Sequence, residues 1–479
     1  MTGPLTAATA PGPRPGRVTA VHLGLGAFHR AHQLWATEAA NRARLADGAA
    51  EGDLDGYASF TGRRPDVAAV LHAQDGLFHL LVRHPDHDEA ELIRCLVDPH
   101  DGADVARLLD LVGSPDVRVI TLTITEAGYR RRADGSLDTS NPDVSADISA
   151  LRSGDECAVR TAPGRLLAAI RARAAVGLRP LALVSCDNLI DNGTTLARVV
   201  ADLADAVGDD NGALVRATSF VHTMVDRITP HTTDIERADI STLTGFADAD
   251  PIACEPFTEW ILAGDFPSGR PAWELGGARF TDDVKPFEQR KLWMLNATHS
   301  LLAYAGALAG HATIADAVHD PALAAAAERY MVEDATPTLR LPAGFDAEQY
   351  RASVLRRFAN PALGHTTRQV AMDGSQKLPA RLLSVARDRL AHGAEPMGTG
   401  FAVAAWMLYV ARSCSDPRRF PLQDPMAAHL RRVAAGPRSG LARRMLGLHE
   451  VFDAELADSD VFGDLLAEQI RQLDRGSPA

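Results

Sequence analysis

Arg17-Val-Thr-Ala-Val-His-Leu23 runs directly into Gly24-Leu-Gly26-Ala-Phe-His-Arg30, and Ala31-His-Gln-Leu-Trp-Ala-Thr-Glu38 follows. The first run is rich in β-forming residues, the second is a glycine turn and the third has helical character. Strand, turn and helix in that order form the opening of a dinucleotide-binding unit. Gly24 and Gly26 let the backbone turn tightly and let a pyrophosphate approach a helix N-terminus, where free N–H groups and the helix dipole favour negative charge. Gly24, Leu25, Gly26, Ala27 and Phe28 are therefore the candidate cofactor-binding residues of the turn. His29 stands where a third glycine is usual. A G-x-G pair alone also fits an ordinary turn, and its place after a strand is what favours the nucleotide.

Further β-rich runs lie at Val117-Arg-Val-Ile-Thr-Leu-Thr-Ile-Thr125 and Leu181-Ala-Leu-Val-Ser-Cys186, and each ends where polar residues begin. In open α/β sheets the ligand lies beyond the carboxyl ends of the strands, which puts Thr125-Glu126 and Asp187-Asn188 beside the crevice that holds Gly24. Thr125 joins the candidate cofactor residues. Another run, Gly56-Tyr-Ala-Ser-Phe60, leads into Thr61-Gly-Arg63-Arg64. That loop offers hydroxyl and guanidinium groups where a carboxylate ordinarily reads the adenosine ribose. NAD is the expected cofactor, with NADP left open because guanidinium groups also suit a 2′-phosphate; a solvated basic loop fits the same residues.

From about Asp283 onward the pattern turns helical and no convincing strand follows. At 479 residues the chain is longer than one core usually organises. The expected division is a disordered leader over 1–17, a Rossmann-like α/β dinucleotide-binding domain over 18–280 and a mainly α-helical substrate and catalytic domain over 281–479.

A formal net charge of −13 without a Lys/Arg block argues against nucleic acid as the main partner, leaving small-molecule chemistry. The five cysteines are scattered, without C-x-x-C spacing, and suit buried or incidental thiols in a reducing compartment. Residues 1–17 contain no apolar segment of the kind a secretory signal needs, and no apolar run of membrane-spanning length occurs. A cytoplasmic protein, monomeric or weakly homo-oligomeric, is expected.

The chemistry concentrates in Glu288-Gln-Arg-Lys291-Leu-Trp-Met-Leu-Asn296-Ala-Thr-His299. On an α-helix at about 100° per residue, with Lys291 at zero, Glu288 falls at about 60°, His299 at about 80° and Asn296 at about 140°. A carboxylate, an amine, an amide and an imidazole therefore share one face. The next residues, Ser300-Leu-Leu-Ala-Tyr-Ala-Gly-Ala-Leu-Ala309, are almost wholly apolar, which predicts a buried helix. Buried ionisable groups are functional candidates, although a solvated helix face also fits. Glu288 could relay protons to solvent or simply pair with Lys291 one turn on.

Together, Gly24-x-Gly26-x-Phe28-His29-Arg30-Ala31-His32, Thr125-Glu126-x-Gly128-Tyr129, Ser185-Cys186-Asp187-Asn188 with Asn192-Gly193, Met224-Val-Asp226-Arg227-Ile228, and Lys291 with Asn296 and His299 resemble the long-chain mannitol dehydrogenase family. The resemblance runs in the same order from about residue 18 to 470. It implies a Rossmann-like domain, a helical domain and metal-independent hydride transfer between a nicotinamide and a polyol or sugar acid in the crevice between them. By position it makes Lys291 the catalytic base, with Asn188 and Asn296 holding the reacting oxygen. His299, Asp226 and Lys377 become substrate-binding residues. The segment Gln369 to Arg381, with Ala253-Cys-Glu-Pro-Phe257, is more similar to the fructuronate and tagaturonate reductase branch than to the polyol branch. Arg381 adds a planar donor fork that suits a substrate carboxylate. Two departures bear on the cofactor: Ala127 replaces a lysine common in the family, and Ser59 stands where an acidic residue usually reads the ribose.

Other classes are weaker. His29-x-x-His32 suggests a metal hydrolase, but no acidic or thiol ligand lies near it in sequence. His22 and His32 read as packing or helix-surface residues. A non-catalytic nucleotide sensor shares the fold, since fold alone does not establish activity, yet it would have no use for the lysine, two asparagines and histidine. Trp260 and Trp293 read as core or domain-contact aromatics rather than substrate platforms.

Overall fold

The computed structural model describes residues 3–476 except 63, 209–210 and 342–343. Arg63 of the basic loop thus lies outside the described residues. The chain divides into two compact units, Met1–Val284 and Lys285–Ala479.

The first unit is built on an eight-stranded sheet. Its strands are β1 (Val18–Leu23), β2 (Gly56–Phe60), β3 (Leu96–His100), β4 (Val119–Leu122), β5 (Ala182–Ser185), β6 (Ser219–Asp226), β7 (Glu259–Ala263) and β8 (Arg279–Phe280). Six run parallel in the spatial order β3-β2-β1-β4-β5-β6; β7 is antiparallel to β6, and β8 is parallel to β7. That is the dinucleotide-fold order, with its switch point between β1 and β4. The register aligns Leu23 with Phe60 on one side and Leu122 on the other, and Leu122 with Ser185. Gly24, Thr61, Thr123 and Cys186 therefore leave the sheet at one carboxyl edge. β2, β4 and β5 are buried at every residue, as parallel strands covered on both faces must be.

The leader departs from expectation. Gly3–Pro4 pairs in parallel with Phe246–Ala247, Leu5 and Ala10 are buried with Leu77, and Arg94 donates to the Ala10 and Pro11 carbonyls. Residues 3–17 are ordered because one leucine anchors them and their backbone groups find partners, neither of which shows as periodicity.

The second unit is helical, and its core centres on Ala297–Ala309 and the apolar helix Met397–Ser415. Among the described residues it contains no strand, only an isolated bridge between Thr313 and Thr366. The expected α/β plus α-helical fold class is what the chain adopts. No helix of the described residues is long and apolar enough to cross a membrane.

Beneath the glycine turn lies a buried imidazole stack. His22 and His29 are fully buried with ring centroids 3.4 Å apart. His22 reaches Thr121 through Nδ1 at 2.7 Å, and Thr123 and the Gly24 carbonyl through Nε2 at 2.8 and 3.2 Å. Burial lowers the His22 pKa to about 3 and holds that of His29 well below 6.5, with the neighbouring ring adding to the His29 shift. Because the folded pKa lies below the unfolded one, the unfolded chain takes up these protons first. Stability is therefore complete above about pH 6.5 and falls as pH drops toward 3, by up to about 1.4 kcal/mol per pH unit for each histidine. We expect the thermal midpoint to fall between pH 7.5 and 5.5, and by less in His22→Gln. Equal drops in both proteins would refute the linkage.

Candidate functional site

The candidate side chains fall into two groups, one in each unit. In the first, the helix after β1 begins at Ala27 with Gly26 as its N-cap, and no side chain caps it. It continues through a π-helical turn, Arg30–Leu34, into Trp35–Ala46. Gly24 has φ +111°, and a Cβ there would sit 2.0 Å from the Thr123 carbonyl oxygen. At Gly26 a Cβ would meet only the Gly24 oxygen, at 3.6 Å. The approach to the first helical N–H groups is therefore open to a phosphate.

A cavity of about 600 Å³ opens there, its wall including Gly24, Leu25, Gly26, Ala27, Thr123 and Thr125. That volume suits a cofactor-sized ligand. Phe28 is not part of this wall; it packs on the core and stacks with His32 at 5.0 Å. Thr125 is not the last residue of a strand but starts a short helix, Thr125–Gly128, with φ +61°. The buried Asp187 carboxylate holds that turn, accepting from the backbone N–H groups of Ile124 and Thr125 at 3.2 and 2.7 Å and from the Tyr129 hydroxyl at 2.8 Å. Burial raises the Asp187 pKa, and these bonds oppose the rise. Asn188, next in sequence, is exposed, and Asp226, 4% exposed, ends β6 opposite Glu259.

His29 and His32 do not converge on a common ligand. His29 reaches Gln33 and Ser59, whereas His32 bonds the Glu259 carbonyl. Ser59 cannot replace the ribose-reading carboxylate, because its hydroxyl is buried against His29 at 3.0 Å.

In the second unit the helix is not the regular α-helix the sequence predicts. It runs α over Lys285–Arg290, π over Lys291–Asn296 and α again over Ala297–Ala309. A π-turn closes i→i+5, so Asn296 rises one turn above Lys291 instead of lying well around the face. The positions expected at 100° per residue therefore do not hold across Lys291–Asn296. Side chains add hydrogen bonds to two carbonyls of the π-turn. The Tyr330 hydroxyl donates to the Trp293 carbonyl at 2.7 Å, and the Ser300 hydroxyl to that of Asn296 at 3.1 Å. Trp293 itself donates its indole N–H to the Ala380 carbonyl. Lys291 and Asn296 are 9% and 8% exposed, whereas Glu288 is half-buried.

His299 stacks on Phe358 and His365, with centroids 4.8 and 5.5 Å away, and its buried Nε2 has no hydrogen-bond partner. Burial lowers its pKa well below 6.5, and His365, Arg381, Arg357 and Lys377 push it the same way. Lys377 donates to the Met372 carbonyl at 2.6 Å. Arg381 has one terminal nitrogen on the Asn296 carbonyl and the Ser300 hydroxyl, at 3.4 and 3.2 Å, so that arm braces the π-turn. Burial lowers the Arg381 pKa to about 10.

Sequence reasoning did not single out Arg357 and His365 beside His299, nor Arg160, Arg165, Arg237 and Asp250 of the nucleotide cavity. No spacing marks them, since each comes from a separate loop or helix.

A family model for the mannitol dehydrogenase Rossmann domain matches residues 18–275, and one for the mannitol dehydrogenase C-terminal domain matches residues 283–474. The chain is 37% identical over 461 residues to the uncharacterized oxidoreductase YeiQ of Escherichia coli, covering 95% of this chain and 91% of that protein. It is 35% identical over 464 residues to D-mannonate oxidoreductase of Escherichia coli, covering 95% and 93%. Mannitol 2-dehydrogenase of Pseudomonas fluorescens, solved as a ternary complex with NAD and D-mannitol, superposes with a TM-score of 0.82 at 30% identity, covering 99% of this chain and 97% of that one. The parallel sheet with its glycine turn and the helical unit with its buried lysine are thus both matched by domain, and the chain belongs to the mannitol dehydrogenase family, the nicotinamide-dependent oxidoreductases acting on CH–OH groups.

Proposed function

We propose that the protein interconverts a sugar acid and its keto form, D-mannonate and D-fructuronate being the best fit, with NAD as the cofactor. The observation that carries this reading is the charge around His299: Arg381, Arg357 and Lys377 all act on it, while His365, its pKa lowered by burial, adds a neutral imidazole. Concentrated cationic groups suit a substrate carboxylate, which forms short charge-assisted hydrogen bonds with guanidinium and ammonium donors. An uncharged polyol gains much less from them. The likeness to D-mannonate oxidoreductase supports the same choice. The competing polyol reading, D-mannitol to D-fructose, rests on the likeness to mannitol 2-dehydrogenase.

When bound, the nicotinamide supplies the hydride acceptor or donor. Lys291, in its neutral form, takes the proton of the substrate's secondary hydroxyl during oxidation and returns it to the developing alkoxide during reduction. That role requires the neutral amine, the form that burial in general favours. Asn296 and Asn188 direct amide N–H groups at the reacting oxygen, an interaction worth about 3 kcal/mol per donor elsewhere. His299, Asp226, Lys377 and Arg381 hold the rest of the substrate, and Glu288 passes protons to solvent.

A spectrophotometric panel of D-fructuronate, D-tagaturonate, D-fructose, D-mannitol and D-arabitol tests the choice. We expect kcat/KM for a keto-uronate to exceed that for D-fructose by at least about 100-fold, or about 2.7 kcal/mol. Turnover of uncharged sugars and polyols alone would overturn the sugar-acid reading.

A further inference from the structure

The wall of the nucleotide cavity is more cationic than a dinucleotide's pyrophosphate requires. Arg30, Arg64, Arg130, Arg160, Arg165 and Arg237 line it, and among its described residues the sole carboxylate is Asp250. That carboxylate is already held by Arg30 at 2.9 Å. Six guanidinium groups on one wall are unexpected in a chain whose net charge is −13.

The carboxyl end of β2 is where a ribose-reading acid belongs, and no acid stands there. Ser59 is turned onto His29, Phe60 is 1% exposed, and buried Thr61 accepts from the Gly102 N–H at 2.9 Å. The next wall residues are Gly62 and Arg64. Arg165 completes this corner from the first turns of the helix Ala162–Ala175. Its Nη1 lies 3.2 Å from where a Cβ on Gly102 would stand, and Gly102 packs directly on the Thr61 carbonyl. The Arg165 Nε is buried without a hydrogen-bond partner. Arg64, by contrast, is largely exposed and paired with Asp66 at 2.8 Å, so it must share or exchange that partner to serve a ligand.

We propose that this corner is a phosphate subsite and that the protein accepts the 2′-phosphorylated dinucleotide NADP in addition to NAD, with Arg165 and Arg64 as donors to the 2′-phosphate. The proposal rests on the dinucleotide reading of the cavity but not on the sugar-acid reading. A buried guanidinium N–H left without a partner is costly, and a dianionic phosphate would satisfy it. A free ribose hydroxyl pair would not balance its charge.

Calorimetric titration of the full chain with adenosine 2′,5′-bisphosphate, adenosine 3′,5′-bisphosphate and 5′-AMP tests the subsite without any nicotinamide or sugar. We expect the 2′,5′-bisphosphate to bind at least tenfold more tightly than either of the others. In Arg64→Gln and Arg165→Gln, singly and combined, that preference should shrink, and in the double variant it should vanish. Equal binding of the two bisphosphates would show only a general positive field and would overturn the proposal. So would a preference below tenfold in the wild type, or one that survives in the double variant. Exposed Arg64 keeps the test informative if the Arg165 variant folds poorly. None of these outcomes depends on which sugar the enzyme turns over.

Discussion

Lys291→Ala is expected to lower kcat by about 10²- to 10⁴-fold, the range that a positioned acid–base group supplies, while the dissociation constant for NAD changes less than about twofold. Lys291 is 9% exposed and stands at the first position of the π-turn. A lysine in water titrates at about 10.4 and would be an ammonium at neutral pH, so the proposed role requires the environment to favour the amine. The direction of the reaction then fixes the sign of the pH effect. Oxidation needs the neutral form, so its rate should rise with pH until the amine is deprotonated. Reduction needs the protonated form, so its rate should fall over the same interval. In Lys291→Ala both slopes should disappear, and a small primary amine added to the assay should restore part of the rate. A structural lysine would behave otherwise, with lost thermal stability, no amine rescue and an unchanged pH profile in the residual activity. Near-normal turnover in the variant would end the assignment of Lys291 as base.

Legibility in the sequence differed between the two units for physical reasons. The Gly24 turn was readable because a parallel strand, a tight bend and a helix start each demand particular residue types in sequence. Gly56–Phe60 and Ala182–Ser185 were readable as apolar runs for the same reason. Strand β3 was not, since Leu96-Val-Asp-Pro-His100 is a short polar run whose place is set by pairing with β2 rather than by its own pattern. The Lys291 helix was recognised as a helix but given the wrong pitch. What braces the π-turn is largely tertiary: the Tyr330 hydroxyl on the Trp293 carbonyl and Arg381 on that of Asn296. Those partners are 37 and 85 residues away in sequence, so local periodicity could not register them. Arg381 shows the same limit from the other side. Its fork suggested a carboxylate, and in the fold one arm is committed to the helix that carries Asn296.

Gly24→Ala should be the most damaging single-methyl change in the nucleotide unit, costing roughly 3–5 kcal/mol of stability and weakening NAD binding at least tenfold. Two separate penalties act at this position. The backbone sits at φ +111°, where L-residues are strained. The new Cβ would also lie 2.0 Å from the Thr123 carbonyl oxygen, a backbone atom with no side-chain freedom to move aside. Relief requires β1 and β4 to separate at their carboxyl ends. Such a shift disturbs the two bonds from the Gly24 and Leu25 N–H groups to the Phe60 carbonyl, and with them the His22 bonds to Thr123 and the Gly24 carbonyl. Gly26→Ala is the matched control. Its φ is −120°, open to any residue, and its Cβ would meet nothing closer than 3.6 Å. We expect that variant to keep its thermal midpoint within a few degrees while losing nucleotide affinity, because the added methyl lies where the phosphate must approach. If Gly24→Ala and Gly26→Ala lost stability equally, the strain at Gly24 would not be what shapes the turn.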